Sequence, residues 1–226
     1  MMNIKTIRLT DDIIFSSNSR IAILGKTGTG KSTFFKNKIL PHYDSFIFHD
    51  SKVENSDVQH DILVTNPKDL RKNIGKYNKI LYQPKNIYPA DFDAVCKVIF
   101  ESGIETVLYV DEVMEISSVN KIEHYHKLLL TQGRGKDIGI INVSQRPSDI
   151  HNTILSESEH FFIFKLTLDP DIVKIEKIIG SAADEVGYLP YYTFLYADEA
   201  EVRKLYDTNL RLYKPSLRDY IAKIRV

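Results

Sequence analysis

The sequence predicts an α/β fold on a mostly parallel sheet, and three observations point to it. Short β-rich runs alternate with helical patterns along the 226 residues, a glycine-rich stretch "GKTGTGKS" joins one such run to a helical one, and the run "TVLYV" is apolar throughout. Strands separated by helices pair in parallel, since each crossover returns the chain to the same end of the sheet. A glycine-rich loop between strand and helix is the setting in which backbone N–H groups can converge on an anion. A strand with no polar face is covered on both sides, as central parallel strands are.

In chain order the β-rich runs are "RIAIL", "SFIFHD", "DILVT", "KILYQP", "TVLYVDE", "IGIINVS", "FFIFKL" and "YYTFLY". Between them, "DFDAVCKVIFES" repeats Phe92, Val95, Cys96, Ile99 and Phe100 at helical spacing, and "KIEHYHKLLLTQGRG" reads as a helix ended by Gly133. In "TLDPDIVKIEKIIG" Asp169 is the expected N-cap, Pro170 the first helical residue and Gly180 the terminator. Residues 1–200 are expected to form one compact domain, and 201–226 a basic helical appendage to it. That tail, "RKLYDTNLRLYKPSLRDYIAKIRV" from residue 203, fits a solvated face with an apolar stripe or a clamp on nucleic acid.

Thirty basic and thirty acidic side chains balance, and 43% of residues are hydrophobic, so the chain is neither disordered nor polyanion-seeking as a whole. Its single cysteine, Cys96, excludes an internal disulfide framework and fits a reducing compartment; its place in a helical apolar stripe makes it a packing residue. The apolar runs are too short to span a bilayer and the N-terminus lacks an apolar signal region, so an intracellular, soluble protein is expected.

Gly25, Lys26, Thr27, Gly28, Thr29, Gly30, Lys31 and Ser32 satisfy G-x-x-x-x-G-K-[ST] in full, with Thr33 next in the helix. The glycines let the backbone wrap a phosphate, Lys31 reaches the β- and γ-phosphates, and Ser32 ligates Mg²⁺. The glycine spacing does not match a dinucleotide fingerprint, so the expected ligand is ATP with Mg²⁺.

"TVLYV" delivers Asp111 and Glu112 to the sheet edge where such folds place ligands. Asp111 is suited to hold Mg²⁺ through its water shell, and Glu112 to orient and deprotonate an attacking water. A kinase has no need of a water-activating carboxylate, so Glu112 points to hydrolysis. "IGIINVSQRP" ends in Gln145 and Arg146, and an amide there can sense the γ-phosphate. His124 and His126, two apart on a helix, face different ways and do not suggest a metal site.

Taken together, these residues resemble the HerA/FtsK superfamily of P-loop DNA-translocating ATPases. "QGRGKDIGIINVSQRPSDI" is similar to its signature of a Gly-Arg pair before an apolar strand ending in Gln-Arg-Pro, and "IIGSAADEVGYLPYYTFLY" to its closing segment. "FIFHDSKVEN" resembles the second strand of HerA-like members, with Asp50, Lys52 and Glu54 at its end. The resemblance implies a three-layer P-loop NTPase sandwich of the RecA-like, additional-strand catalytic-glutamate type. Lacking the membrane segments, barrel domain or added DNA-binding domain of other members, the chain looks most like the genome-packaging ATPases of icosahedral viruses with double-jelly-roll coats.

That resemblance implies a homo-oligomeric ring, a hexamer by expectation, with ATP at subunit interfaces and Arg134 as an arginine finger acting on the neighbour, Arg146 being second choice. Arg134 also fits a helix-end cation answering its own helix carbonyls. The implied partners are double-stranded DNA and capsid vertex or portal proteins, and the implied location is the host cytoplasm or the packaging vertex of the virion. Lys68, Arg71, Lys72, Lys76 and Lys79 fit either a DNA-facing surface or a solvated loop. A HerA-like or conjugative DNA-processing motor and a nucleotide-dependent phage assembly ATPase are the alternative readings.

Overall fold

The computed structural model describes residues 5–199 and 204–213. A short hairpin, β1 (Thr6–Arg8) with β2 (Ile14–Ser16), precedes β3 (Arg20–Leu24), the phosphate-loop stretch and α1 (Lys31–Phe34), which continues as a turn of π-helix over Phe35–Ile39. Then come β4 (Phe46–His49), β5 (Ile62–Val64), α2 (Pro67–Asn73), β6 (Lys79–Tyr82), α3 (Pro89–Ser102) and β7 (Thr106–Val110). The chain continues through α4 (His124–Gln132), β8 (Ile138–Ser144), α5 (Asn152–Ser156), β9 (His160–Phe164), α6 (Asp169–Ile179), β10 (Thr193–Asp198) and β11 (Lys204–Asp207).

Nine strands form one sheet in the order β11-β10-β9-β3-β8-β7-β4-β6-β5. From β9 to β5 every pairing is parallel; β10 and β11 are antiparallel additions at one edge. All eight β-rich runs of the sequence form strands of this sheet. The central strands β4, β7 and β8 are buried at every position, because apolar layers cover both faces. One layer is helical, with Val95, Cys96, Ile99, Leu129, Leu130 and Ile175 packed on Leu24, Leu108 and Ile140. The other is aromatic: the β1–β2 hairpin and the start of the first helix bring Ile7, Phe15, Phe34 and Phe35 onto Phe48, Tyr109 and Phe162. Phe35 stacks on Tyr109 with ring centroids 3.8 Å apart. Cys96 is fully buried, and burial pushes its thiol well above its usual range, so it packs and does not react.

Two local expectations shift. Asp169 is the first helical residue of α6 and Leu168 occupies the cap, one position earlier than expected, while Gly180 ends the helix at φ 60°. Gly133 follows α4 with right-handed φ −57°, and Asp137 at φ 58° makes the turn into β8. The helical appendage expected over 201–226 begins differently. Residues 204–207 are an edge strand in register with β10, Thr193 opposite Asp207 and Tyr196 opposite Lys204. Alternation places Tyr206 on the aromatic layer, stacked 5.9 Å from Phe194, which favours a strand over a helix there. The remainder of that appendage, 214–226, lies outside the described residues.

Candidate active site

The register sets the site. Leu24 pairs with Ser144, Val110 with Asn142 and His49 with Val110, so the residues that follow these four strands emerge along one edge. Gly25, Asp50, Asp111 and Gln145 therefore start the loops at the C-terminal end of the parallel sheet. They surround a cavity of about 290 Å³ lined by Thr27, Gly28, Gly30, Lys31, Ser32 and Thr33 on one side and Lys52, Asp111, Glu112 and Gln145 on the other. A larger cavity of about 510 Å³, at the opposite edge beside His42 and Thr106, contains none of these groups.

The loop is anchored at its base, where Gly25 N–H donates to Ser144 O (3.1 Å) and Lys26 N–H to Lys165 O (2.8 Å). Gly25 can only be glycine: a Cβ would come 2.5 Å from that of Phe164. Gly28 and Gly30 sit at φ 78° and 102°, where side chains are strained. Thr29 closes the turn with its hydroxyl on Lys26 O at 2.7 Å. Lys31 is 7% exposed, and its ammonium lies back along the loop and donates to Gly25 O (2.5 Å) and Lys26 O (3.0 Å). Burial depresses its pKa to about 8, against the pull of Glu112 and Asp111. Ser32 and Thr33 are exposed, at the start of the helix.

Across the cleft Glu112 is 5% exposed and holds an uncommon left-handed backbone, φ 60° and ψ 64°. Its Oε1 accepts from Gln145 N–H (3.0 Å), and its Oε2 from Gln145 Nε2 and from Lys52 Nζ (3.2 Å). Burial opposes the charge of Lys52, but the Glu112 carboxylate outweighs it and raises the lysine's pKa. The other end of the Gln145 amide accepts from the Thr27 hydroxyl. Only one amide orientation satisfies both contacts, because a carboxylate cannot donate. Thr27, Gln145 and Glu112 thus form a continuous hydrogen-bonded line from the phosphate loop to the carboxylate.

Asp111 is raised above the usual carboxylate range by burial, although Asn55 Nδ2 donates to its Oδ2 at 3.0 Å. The same Asn55 amide donates to Asp50 Oδ1 (2.8 Å), and Asp50, fully buried, also accepts from the Glu54 and Asn55 N–H groups and from Gln83 Nε2. This carboxylate fastens the loop after β4 and, through Asn55, orients Asp111. The resemblance of "FIFHDSKVEN" marks Asp50 and Lys52 in the sequence without giving either a role, and leaves Asn55 unmarked. The signal for them was the position just past a strand neighbouring β7.

The two arginines stand apart from the cleft. Arg134 precedes β8, so the seven-residue strand, about 20 Å long, separates it from Gln145. Its guanidinium donates to Glu159 Oε1 at 2.5 Å, and Glu159 also accepts from Arg20 N–H and Nη2, each at 3.0 Å. Burial works against the Glu159 charge, but the bonds from Arg20 hold its pKa down. The carbonyl end of α4 is met by Arg20, whose Nη1 donates to Leu130 O, so Arg134 does not serve as that helix's cation. Arg146, though next to Gln145, is turned to α6: its Nε donates to the buried Asp171 at 2.9 Å. Among the described residues no cluster of metal-ligating side chains of the His/Cys/Asp/Glu type forms, and His126 is wholly buried, with a pKa pushed down to about 3 by burial.

No family model matches the chain. Over 214 residues it is 29% identical to the DNA packaging ATPase P9 of Enterobacteria phage PRD1, covering 85% of this chain and 86% of that protein. Its structure is similar to the genome packaging NTPase B204 of Sulfolobus turreted icosahedral virus 2 in complex with AMPPCP, with a TM-score of 0.73, 21% identity and coverage of 89% of this chain and 100% of the other. The bacterial conjugative coupling protein TrwB lacking its first 70 residues matches at a TM-score of 0.60 and 12% identity, over 86% and 85% of the two chains. The fold is that of the P-loop NTPases, and the resemblance of the sequence to genome-packaging ATPases is borne out.

Proposed function

We propose that this chain is an ATPase whose hydrolysis drives double-stranded DNA into a preformed viral capsid. The observation that carries the reading is the line Thr27–Gln145–Glu112, a hydrolytic carboxylate wired to a phosphate loop, in a chain alignable over most of its length with a DNA packaging ATPase. Glu112 is the general base: water placed against it gives up a proton as its oxygen attacks the γ-phosphorus, the bond from that phosphorus to the β,γ-bridging oxygen breaks, and ADP and inorganic phosphate leave. Gln145 contacts both base and loop, so its amide reports a γ-phosphate on Thr27 to the carboxylate. Lys31 neutralises the β- and γ-oxygens, exchanging its two loop carbonyls for phosphate.

The donor set suits Mg²⁺: a hydroxyl at the start of the first helix, Ser32, faces Asp111 across the cleft. When bound there, the ion withdraws charge from the phosphate oxygens. Arg134, at the far edge, can serve only another subunit's nucleotide, which supports a ring of identical subunits with six as the expected number. Double-stranded DNA in the central channel, vertex or portal proteins, and a location in the host cytoplasm or at the packaging vertex complete the reading. In this ring Arg71 and Lys72 are weak candidates for DNA contact, since both are already ion-paired, to Glu101 and Asp69. Among the described residues no helix is long and apolar enough to cross a membrane.

The test is ATP hydrolysis by the purified protein with and without double-stranded DNA, beside Lys31→Ala. DNA-stimulated turnover that vanishes in the variant is expected; turnover indifferent to DNA in the assembled ring would reject the motor reading. The likeness to a conjugative coupling protein favours a second reading, a free-DNA motor. A requirement for empty capsids separates the two.

A further inference from the structure

We infer that Tyr192 is the platform on which the base of the bound nucleotide stacks, an inference that rests on the nucleotide reading of the same cleft. Tyr192 is 57% exposed and lines the cavity together with Lys31, Ser32 and Thr33. A large exposed aromatic on the wall of a polar cleft leaves apolar area uncovered by the described residues, and a purine face is a partner of matching shape.

The backbone around it is built to hold the ring there. Tyr192 adopts φ 62°, a left-handed conformation that a residue with a bulky side chain rarely takes. Two hydrogen bonds maintain it. Its N–H donates to Thr29 O inside the phosphate loop (3.1 Å), and its carbonyl accepts from Thr208 N–H just past β11 (2.8 Å). The ring is seated against the loop itself, since a Cβ on Gly30 would come within 2.8 Å of Tyr192 Cδ1. Gly30 therefore serves two needs, its own φ of 102° and the close approach of this ring.

Direction supports the assignment. Phosphates held by the loop and by Lys31 leave the ribose and base to extend past the start of the first helix, where Thr33 and Tyr192 form the cleft wall. The neighbouring Tyr191 is engaged elsewhere, with Lys165 Nζ 5.6 Å from its ring centroid. Stacking a base on an aromatic face strengthens binding by about one to two orders of magnitude and needs no hydrogen-bond readout.

The experiment compares two ligands of the full chain: MgATP, which carries a base, and magnesium tripolyphosphate, which does not. Tyr192→Ala is expected to weaken MgATP about ten- to a hundredfold, raising KM in step, while tripolyphosphate binds within about twofold of wild type. Tyr192→Phe should restore MgATP affinity. Because alanine is also strained at φ 62°, Tyr192→Gly provides a second variant that keeps the backbone and removes the ring. Equal weakening of both ligands by Tyr192→Gly would make the ring a brace of the loop and overturn the proposal, as would no change in either. Lys31→Ala should abolish both ligands. If it does so while Tyr192→Gly binds MgATP like wild type, only the base platform fails; if wild type binds neither ligand, the nucleotide reading fails and takes this one with it.

Discussion

At the C-terminal edge of the parallel sheet the charged groups answer one another around two buried carboxylates, Asp50 and Glu112: Lys52 meets Glu112, Asn55 bridges Asp50 and Asp111, and Gln145 joins Glu112 to the loop. At the N-terminal edge the pattern is sparser. Arg134 is anchored at its root by Glu159, which is 9% exposed, while its own side chain stays 58% exposed. On the proposed reading one edge would carry a reaction centre short of a transition-state cation, and the other a cation positioned by a buried carboxylate. The division teaches what the proposed reading requires: a subunit with the two halves of a hydrolytic site at opposite edges of its sheet would have to complete it with a neighbour.

The largest effect should come from severing the two edges. Arg134→Ala is expected to lower turnover about 10³- to 10⁵-fold, the range of arginine fingers generally, while ATP affinity stays near wild type. Mixed rings sharpen the point. Subunits lacking Lys31 but retaining Arg134 should rescue hydrolysis in neighbours that retain Lys31 but lack Arg134. Absence of rescue, with the doubly intact ring active, would place the cation's role within its own subunit or outside catalysis.

Glu112→Gln tests the other edge with an expected loss of about 10²- to 10⁴-fold in turnover. The amide cannot take a proton, yet it retains the size to pack beside Gln145, so MgATP should bind and stay unhydrolysed in rapid-mixing experiments. Turnover within a fewfold of wild type would remove Glu112 as the base and shift attention to Asp111.

How legible each edge was in the sequence follows from the kind of order it has. The loop glycines, Lys31, Asp111, Glu112 and Gln145 sit at strand ends, and strand ends are readable because apolar runs announce where they stop. The partners that hold them are not readable in this way. Asp50 and Asn55, five positions apart in the loop between β4 and β5, make hydrogen bonds that depend on tertiary position, and Tyr192 lies 162 positions after Gly30 while touching it. The same reason separates neighbouring strands at one edge of the sheet. "FFIFKL" and "YYTFLY" are long apolar runs, whereas β11, "KLYD", is short and half polar, and resembles the helical pattern of the basic residues around it.

The smallest expected effect concerns proton linkage at Lys31. Its pKa lies near 8 because the ammonium is buried, below the 10.5 of a free lysine, so the folded protein disfavours the charged form. The stability penalty is therefore present below about pH 8 and is relieved as pH rises from there towards 10.5. ATP affinity runs the opposite way. Phosphate favours the ammonium, so binding takes up a proton once Lys31 has begun to lose it, and affinity should be level to about pH 8 and then fall by up to about tenfold per unit. The measurement is the dissociation constant of MgATP between about pH 7 and about pH 9.5. Lys31→Arg, whose guanidinium keeps its charge throughout this range, should bind more weakly but without the slope. A level profile in the wild type would mean that the buried ammonium holds its proton against desolvation, through the two acids facing it across the cleft.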